Sequence, residues 1–375
     1  MRLDEREWKP FYIRDLFERF EPGKGKGLVH LTQVNESGIP YVGATNRNNG
    51  VLCFIHEDEN SLKLKQPGNC IGFIKNGDGS AGYAIYKEAA FISTNDVIYA
   101  YKPLLNKYVG LFFVVAQDKI ESKYSHGYKR DKKRLLSDRI MLPVNESGDP
   151  DYVFMEAYIR ELMLRKLEQY RAYMNSRLAQ LVKDGKFTGG DGLGNTWYFF
   201  TLTGAQGLFS VCASTTGIDK VRLHCGDDKT IPYVTRTESN NGISEFISNE
   251  NKVFGWDNGN CVTIGLDTQT AFWQDYGFIT GQNIHVLRGT INKYSALFLA
   301  EILRQQMKKK FNWGGNGATL GRLKNLKILL PVDSFGNPNY GYMDAYTRDL
   351  MKRKLIQYRT YLETLIFKLR RNKVQ

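Results

Sequence analysis

The sequence is poor in the features that mark secreted, membrane-spanning or metal-binding proteins. Its five cysteines include no C-x-x-C pair, which argues against a disulfide framework and against a zinc site. No stretch approaches the roughly 20 apolar residues of a membrane-spanning helix. The charged N-terminal segment also lacks the apolar core of a secretory signal. These absences predict a reduced, cytoplasmic protein that has no contact with a membrane.

Signatures of catalysis are also missing. The five histidines lack the i, i+4 spacing of a helical metal pair, and no nucleophile motif is present. No glycine-rich segment follows a strand in the manner of an S-adenosylmethionine site. Residues 149–152 (Asp-Pro-Asp-Tyr) and 337–340 (Asn-Pro-Asn-Tyr) superficially resemble the Asn/Asp-Pro-Pro-Tyr loop of DNA-adenine methyltransferases, but both lack the second proline and precede a helix. We interpret them as turns with helix caps, and expect no catalytic residue, metal or cofactor on this chain.

Acidic residues are outnumbered: 39 Asp and Glu stand against 52 Lys and Arg, which leaves a net charge of +13. Such a surplus favours a polyanionic partner, and nucleic acid is the first candidate because neutralising phosphates supplies most of the non-specific affinity for DNA. A basic protein without such a partner is the alternative that composition leaves open.

What the sequence does contain is an internal repeat. Residues 143–173 and 331–361 are identical at 18 of 31 positions, at a constant offset of 188 and without a gap. Upstream motifs recur in the same order: Ile-Pro-Tyr-Val with Asn-Asn-Gly at 39–50 and 231–242, and Gly-Asn-Cys at 68–70 and 259–261. A repeat of this length predicts two copies of one structural unit.

Each copy begins with short strand-like runs separated by Asn- and Gly-rich turns, a pattern typical of a mixed α+β unit. In the first copy, the runs lie at 39–42, 51–55, 70–74, 82–86, 97–101 and 109–116. The last run is apolar enough to form a helix instead, and an early helix is predicted at 13–20.

The repeated block begins a long helix in each copy, predicted at about 152–183 and 342–371. Apolar residues recur at steps of three and four, and neither interior contains Gly or Pro. A helix of about 30 residues is roughly 45 Å long, and a single apolar stripe of that length needs an equally long partner. We therefore predict an antiparallel intramolecular coiled coil with pseudo-two-fold symmetry. Docking of each helix on its own domain is the alternative. Predicted coil or partner contacts are Leu162, Leu167, Tyr170, Leu350, Leu355 and Tyr358.

The motifs, in this order and given twice, resemble the DNA-specificity (S) subunits of type I restriction–modification systems, and in particular the short S subunits of type IIB-like enzymes. The markers in the first half are Trp8, 16–17, 39–45, 48–50, 68–70 and 142–144, and those in the second are Trp197, 208–209, 231–237, 240–242, 259–261 and 330–332. The resemblance implies two target-recognition domains that each read half of a bipartite site. It also implies helices that set their separation and bind two methyltransferase (M) subunits, with restriction (R) subunits joining the complex. S-adenosylmethionine is then expected on the M subunits.

The predicted boundaries follow from the repeat. Residues 1–142 form target-recognition domain 1, 143–184 the first conserved helix, 185–330 target-recognition domain 2, and 331–375 the second conserved helix. A flexible glycine-rich linker is predicted at 189–195.

Two basic, glycine-containing loops precede the last strand of each domain, at 123–134 and 308–322, and are the candidate DNA contacts. Lysines mainly meet phosphates, whereas Arg and Asn can make bidentate contacts with bases. The predicted phosphate contacts are Lys123, Lys129, Lys132, Lys133, Lys308, Lys309 and Lys310; the predicted base contacts are Arg130, Asn312 and Asn316; Arg322 and Arg47 complete the set. Solvated charged loops are the alternative, and Arg47 stands beside an Asn-Gly pair that is first of all a turn signal.

The sequence thus predicts a non-catalytic, DNA-sequence-recognising subunit of a restriction–modification complex. Two alternatives stay open: a coiled-coil scaffold without sequence-specific DNA binding, and a free-standing nuclease or methyltransferase with an unrecognised site.

Overall fold

The computed structural model describes residues 1–25, 27–35, 37–77, 79–103, 105–125, 127–183, 196–204, 207–312 and 315–371. The chain divides into two compact units. Unit 1 comprises Met1–Tyr170 with Leu362–Gln375, and unit 2 comprises Arg171–Tyr361. The predicted linker at 189–195 lies outside the described residues.

Unit 1 is a mixed α+β unit, as predicted. Its strands are β1 (Trp8–Tyr12), β2 (Arg19–Pro22), β3 (Gln33–Val34), β4 (Ile39–Val42), β5 (Val51–Ile55), β6 (Cys70–Ile74), β7 (Ala84–Lys87), β8 (Ile92–Ser93), β9 (Val97–Tyr101) and β10 (Arg139–Pro143). Its helices are α1 (Ile13–Leu16), α2 (Glu59–Leu64), α3 (Lys107–Asp118), α4 (Lys132–Ser137) and the first part of α5 (Tyr152–Lys183). The strands form a sheet in the order β2-β9-β6-β7, a sheet in the order β3-β5-β4-β8, and the antiparallel pair β1-β10.

Unit 2 repeats most of this topology, but its described residues include no counterpart of strand β3. Its strands are β11 (Trp197–Thr201), β12 (Ser210–Ala213), β13 (Lys229–Val234), β14 (Ile243–Ser248), β15 (Cys261–Gly265), β16 (Ala271–Gln274), β17 (Ile279–Thr280), β18 (Ile284–Arg288) and β19 (Lys327–Pro331). Its helices are α6 (Lys293–Lys310), α7 (Leu320–Lys324) and most of α8 (Tyr340–Arg371). The sheets run β12-β18-β15-β16 and β14-β13-β17, with β11-β19 as the pair. Both units include one parallel contact, β4-β8 and β13-β17.

The apolar run at 109–116 forms a helix rather than a strand. Asn106 caps α3 by accepting hydrogen bonds from the backbone of Tyr108 and Val109. Val109, Phe112 and Phe113 then fall on the buried face at helical spacing and join the main core of unit 1. Asn292 caps α6 of unit 2 in the same way.

The predicted helix at 13–20 is much shorter than expected. Helix α1 ends at Leu16, and Phe17 is already extended. The reason is tertiary, because Arg19–Pro22 forms the edge strand β2 on β9. Strand pairing here overrides the local helical pattern.

The long helices are present with nearly the predicted bounds, and their starts are capped as expected. Asp151 Oδ1 accepts the Phe154 N–H at the start of α5, and Asn339 Oδ1 accepts the Tyr342 N–H at the start of α8, both at 2.9 Å. The end of α8 belongs to unit 1, where Arg370 Nη2 lies 2.6 Å from Glu168 Oε1 of α5. The end of α5 likewise belongs to unit 2. Antiparallel helices produce such an exchange of ends.

Within the described ranges, no helix combines the length and apolar character needed to cross a lipid bilayer.

Candidate nucleic-acid interface

Four loops of unit 1 meet in a region that we call loop end 1. They are residues 43–50, 75–77 with 79–83, 94–96, and 125 with 127–131. The Arg130 N–H donates to Lys75 O over 3.0 Å, and the Lys75 N–H donates to Asp96 O over 2.8 Å. Ser80 Oγ accepts the Asn46 N–H over 3.4 Å. Segments far apart in sequence, including the first predicted basic loop, therefore form one surface.

Unit 2 has the equivalent region, loop end 2, made of residues 235–242, 266–270, 281–283, and 312 with 315–318. The Ala318 N–H donates to Leu266 O over 2.8 Å, and the Leu266 N–H donates to Asn283 O over 3.0 Å. Arg236, which sequence reasoning did not single out, forms an ion pair with Asp267 here. Its position three residues beyond Tyr233 of the Ile-Pro-Tyr-Val motif is the signal that could have identified it.

The lysines predicted in unit 1 are all exposed. Lys129 lies in loop end 1, and Lys132 and Lys133 lie in the first turn of α4. Lys123 differs from the other three lysines because it forms an ion pair. Its Nζ lies 3.7 Å from the buried carboxylate of Asp138. The position of these cations is compatible with phosphate contacts, which stay a prediction.

The prediction that Arg130 reads a base is wrong, because its side chain is fully buried. Its Nη1 donates to Gln117 Oε1 over 2.6 Å and to Gly82 O over 3.0 Å, and its Nη2 lies 2.8 Å from Asp138 Oδ2. The Tyr124 hydroxyl donates to the same carboxylate oxygen over 2.8 Å. Burial lowers the pKa of the Arg130 guanidinium from its usual value. Arg130 therefore holds unit 1 together and does not reach DNA.

Unit 2 replaces this buried ion pair with apolar residues. Ala318 makes the backbone hydrogen bond that Arg130 makes in unit 1, and Leu326 corresponds to Asp138. Ala318 is fully buried and Leu326 is 3% exposed. The linear sequence does not show the distinction, because Arg130 stands there among exposed lysines.

In unit 2, Lys308, Lys309 and Lys310 form the exposed last turn of α6. Cations at this position interact favourably with the helix dipole, so their placement needs no counter-charge from the protein. Asn312 is exposed as well.

The side chains of two other predicted residues, Arg322 and Asn316, donate hydrogen bonds to the backbone of this loop. Arg322 Nη1 donates to Gly317 O over 2.9 Å and to Gly315 O over 3.2 Å. Asn316 Nδ2 donates to Lys310 O over 3.0 Å. Both side chains shape the loop, and a base contact by either would have to compete with these bonds.

The Asn-Asn-Gly segments form structural turns, which is the interpretation that the sequence favoured. Asn48 and Asn49 both adopt left-handed conformations, with φ of 47° and 49°. Asn49 Nδ2 donates to Tyr86 O over 2.9 Å, and the buried Lys87 Nζ donates to Asn49 O over 3.0 Å. Arg47 stands on this turn with an exposed side chain, so its predicted DNA contact is sterically open.

The turn in unit 2 is held by equivalent bonds. Asn241 Nδ2 donates to Trp273 O over 2.7 Å, and Gln274 Nε2 donates to Asn241 O over 3.0 Å. The motif repeats because both units need the same rigid turn.

Loop end 1 also contains a cavity of about 600 Å³ that the sequence did not reveal. Its walls come from two segments separated by some forty residues, and they include Asn76, Glu121, Tyr124 and Lys129. Only Lys129 was predicted as a contact. An acidic residue directly before the basic stretch 123–134 was the available signal for Glu121.

The residues predicted to bind between the helices fall into two classes. Leu162, Leu167 and Leu355 are half-buried. Tyr170 and Tyr358 are 55% and 44% exposed. The prediction that these two tyrosines pack inside a coil is therefore wrong, whereas their role in partner binding stays a prediction. Leu350 also stands at the exposed edge of the stripe, with 37% of its surface accessible.

An exposed face recurs on the two long helices, and we call it the repeated helix face. Its members are Arg165, Lys166, Gln169, Tyr170 and Tyr173 on α5, and Arg353, Lys354, Gln357, Tyr358 and Tyr361 on α8. All five positions are identical in the two copies, and all ten residues are exposed. Exposed positions elsewhere on the helices differ, as at Val153 and Gly341. Packing does not explain the identity of residues that face solvent.

An aromatic triad anchors the start of each long helix. In unit 1, Phe112 lies against Trp8 and Tyr158, with ring centroids 6.1 Å apart in both pairs. In unit 2, Phe298 lies 6.2 Å from Trp197 and 5.6 Å from Tyr346. An apolar groove of about 590 Å³ lies beside the first triad, lined by Trp8, Phe112, Tyr158 and Leu162 among others.

All five cysteines are free thiols: Cys70 and Cys261 are buried, Cys53 is half-buried, and Cys212 and Cys225 are exposed. Burial raises the pKa of the Cys70 thiol to about 12 and that of the Cys261 thiol to about 11, as expected for buried hydrophobes. Across the part of the chain that the structure describes, no group of three His, Cys, Asp or Glu side chains is placed to hold a metal ion.

Comparison with known proteins places these features in a family. The family model of the type I restriction modification DNA specificity domain matches residues 5–170 and 214–358. The specificity subunit S.BcgI of a type II restriction enzyme from Heyndrickxia coagulans is 26% identical over 351 residues, which cover 91% of this chain and 93% of that protein. The type I restriction–modification S subunit from M. genitalium matches with a TM-score of 0.51 and 14% identity, covering 98% of this chain and 96% of that one.

The family match takes in both copies of the repeat, and the structural match extends over both units. The sequence resemblance is thereby confirmed, as is the expectation that the chain specifies DNA sequence for a restriction–modification enzyme and is not its catalytic subunit. The chain belongs to the family of type I restriction–modification DNA-specificity subunits.

Proposed function

We propose that the chain reads a bipartite, asymmetric DNA site, with loop end 1 on one half-site and loop end 2 on the other. The two long helices then set the separation of the half-sites. The observation that carries this proposal is the contrast between the helices and the loop ends. The repeated helix face is identical in both copies, whereas the loop ends differ in residue type and loop length.

Different loop ends are what different base sequences require, because direct readout depends on the donors and acceptors that each loop presents. Position 129 of loop end 1 is a lysine and its counterpart in loop end 2 is Gly317. The connection between β6 and β7 spans residues 75–83, whereas that between β15 and β16 spans only 266–270. Two surfaces this dissimilar favour an asymmetric site.

Each helix has 32 residues, so a straight helix is roughly 48 Å long at about 1.5 Å per residue. One turn of duplex DNA measures about 34–36 Å. Half-sites held apart by such helices would lie more than one turn apart, with unspecified base pairs between them.

The repeated helix face is proposed as the docking surface for two methyltransferase subunits, one on each copy, through which restriction subunits join. Exposed tyrosines and arginines are the residue types that dominate binding energy at protein interfaces. A face that occurs twice with the same residues suits a partner that is present twice. The apolar groove beside Trp8 and Leu162 would extend this surface in unit 1.

The experiment measures the stoichiometry of the complex with the methyltransferase subunit of the same system by native mass spectrometry. Tyr170→Ala with Tyr173→Ala should reduce two bound methyltransferase subunits to one. Adding Tyr358→Ala and Tyr361→Ala should abolish binding. Alanine in place of a hot-spot tyrosine typically weakens binding by about 2 kcal/mol or more, roughly 30-fold.

Tyr276→Ala is the matched control, because Tyr276 is 79% exposed but lies outside the long helices. Two methyltransferase subunits retained by the quadruple variant would refute the docking surface. The scaffold alternative is tested separately on the chain without partners, since it predicts no binding to duplex DNA at about 50 mM salt, where phosphate contacts are strong.

A further inference from the structure

The cavity in loop end 1 is lined by both an acidic and a basic side chain, Glu121 and Lys129. Glu121 stands in a single 3-10 turn at residues Glu121–Lys123, and Lys129 follows the tight turn around Gly127. Both side chains line the cavity. Among the described residues, neither the Glu121 carboxylate nor the Lys129 ammonium has a hydrogen-bond or ion-pair partner.

Three neighbouring cations are engaged within unit 1. Arg130 and Lys123 both approach Asp138, and Arg134 Nη1 donates to Lys129 O over 2.7 Å. The cavity therefore presents one anionic acceptor and one cationic donor that folding has not used.

Aromatic rings near these two groups pack against one another, and glycines form part of the rim of the cavity. The rings of Tyr124 and Tyr128 stack at 5.9 Å with an interplanar angle of 17°, and the Arg134 guanidinium lies 4.2 Å from the Tyr128 ring centroid. At the rim, Gly79 and Gly127 have positive φ, and a Cβ added at either would meet no atom within 4 Å. Among the described residues, no side chain at these two glycines would obstruct the approach of a base-pair edge.

Unit 2 differs from unit 1 at the place that corresponds to this cavity. Gly317 stands where unit 1 has Lys129, and a Cβ on Gly317 would lie 2.6 Å from Leu266 Cδ2. The loop of unit 2 is thus packed directly on the end of its sheet, and the shorter connection at 266–270 supplies no counterpart of Asn76 and Gly79 as a separate wall. Whatever the cavity recognises is specific to the half-site of unit 1.

A carboxylate and an ammonium that line one cavity match the donor and the acceptors on the major-groove edge of a C·G pair. Cytosine presents the N4 amino group as a donor, and guanine presents O6 and N7 as two adjacent acceptors. Thymine in place of cytosine would set its O4 acceptor, instead of an amino donor, against the Glu121 carboxylate. Thymine in place of guanine would set its methyl group, instead of the N7 acceptor, against the Lys129 ammonium. The pair of free groups therefore favours C·G over T·A at one position.

We infer that this cavity reads one C·G base pair of the half-site bound by unit 1, with Glu121 accepting from cytosine N4 and Lys129 donating to guanine O6 and N7. The inference rests on the proposed DNA recognition by loop end 1. It adds two specificity-determining residues to that proposal, and it separates them from the cations that contact only phosphates.

The test uses the full chain assembled with its methyltransferase subunit, and selects bound sequences from a randomised duplex library. Glu121→Gln and Lys129→Gln should each relax the same C·G position in one half-site by about tenfold or more, and leave the other half-site unchanged. Lys132→Gln is the matched control, because it removes one exposed cation outside the cavity, in the first turn of α4. It should weaken binding to every sequence alike.

Uniform weakening by Glu121→Gln and Lys129→Gln, or no effect of either, would overturn the inference while leaving DNA recognition intact. Absence of any sequence preference in the parent complex would overturn the proposed function as well. The two failures are therefore distinguishable in one data set. Glu121 is half-buried and Lys129 exposed, and the unchanged second half-site serves as an internal check on folding.

Discussion

At the residue scale, buried polar groups of one unit can be compared with the residues at the equivalent positions of the other unit. The Arg130–Asp138 pair of unit 1 is Ala318 and Leu326 in unit 2, at equivalent places in the same fold. Desolvation of two charges offsets most of their attraction, so apolar residues can serve equally well at such a site. Removal of only one partner is different, because the remaining charge stays buried without compensation.

Arg130→Met should therefore destabilise the protein by about 3–5 kcal/mol. Asp138→Leu introduced together with Arg130→Met should recover a large part of this loss, because the pair then resembles the apolar arrangement of unit 2. Urea denaturation of the parent, the two single variants and the double variant measures the coupling. Additive losses, with the double variant the least stable of the four, would contradict this explanation.

His285 is a second buried polar residue whose counterpart is apolar. It lies in β18 opposite Ile264, where unit 1 has Ile98 opposite Phe73. Its side chain is largely buried, and within the described part of the chain neither ring nitrogen has a hydrogen-bond partner. Burial lowers the pKa of His285 below its usual value of 6.5.

Acid should therefore destabilise unit 2 through this residue. Below about pH 6.5, the unfolded chain binds a proton at His285 that the folded chain does not bind, so stability falls as the pH falls. His285→Ile removes this contribution, and the variant should gain stability relative to the parent between pH 7 and pH 5, by at most about 1.4 kcal/mol per pH unit. Urea denaturation at the two pH values measures the difference, and an equal difference at both would contradict the prediction.

At the element scale, local signals identified most elements whose caps and turns are encoded nearby. Strands β4, β5, β6 and β9 have the predicted bounds, and α5 spans the predicted residues 152–183. The segments at 13–20 and 109–116 were mispredicted or ambiguous because strand pairing with β9 and capping by Asn106 decided them. Loop residues were harder still, since Arg130 and Lys129 are adjacent in sequence but differ completely in exposure.

The last turn of α6 carries a prediction about salt dependence. Lys308 and Lys309 are exposed there, and a phosphate contact by each would add about 0.9 to the slope of log affinity against log salt. Lys308→Gln with Lys309→Gln should therefore lower this slope by roughly 1 to 2 and weaken binding to all sequences alike. Fluorescence anisotropy over a salt series measures it. Lys368→Gln, an exposed cation on α8, is the control, and an unchanged slope in the double variant would remove these lysines from the interface.

At the scale of the whole molecule, the repeat made the architecture predictable, because a long-period duplication requires two similar units. The two loop ends were not predictable in the same way. The cavity of loop end 1 depends on segments near residues 76–81 and 121–129 that only the fold brings together. Tyr170 and Tyr358 of the repeated helix face were predicted to pack between the two long helices for a related reason. A regular spacing of apolar and aromatic residues does not say which of them meet a second helix and which face solvent.

The central claim is that one chain joins two dissimilar DNA readers. Its most direct test is sequencing of the bases methylated by the complex of this chain with the methyltransferase subunit of its own system. We expect one methylated motif made of two different specified parts, separated by base pairs of any sequence, with Glu121→Gln altering only one part. A single continuous motif, or two identical parts in inverted orientation, would contradict the account.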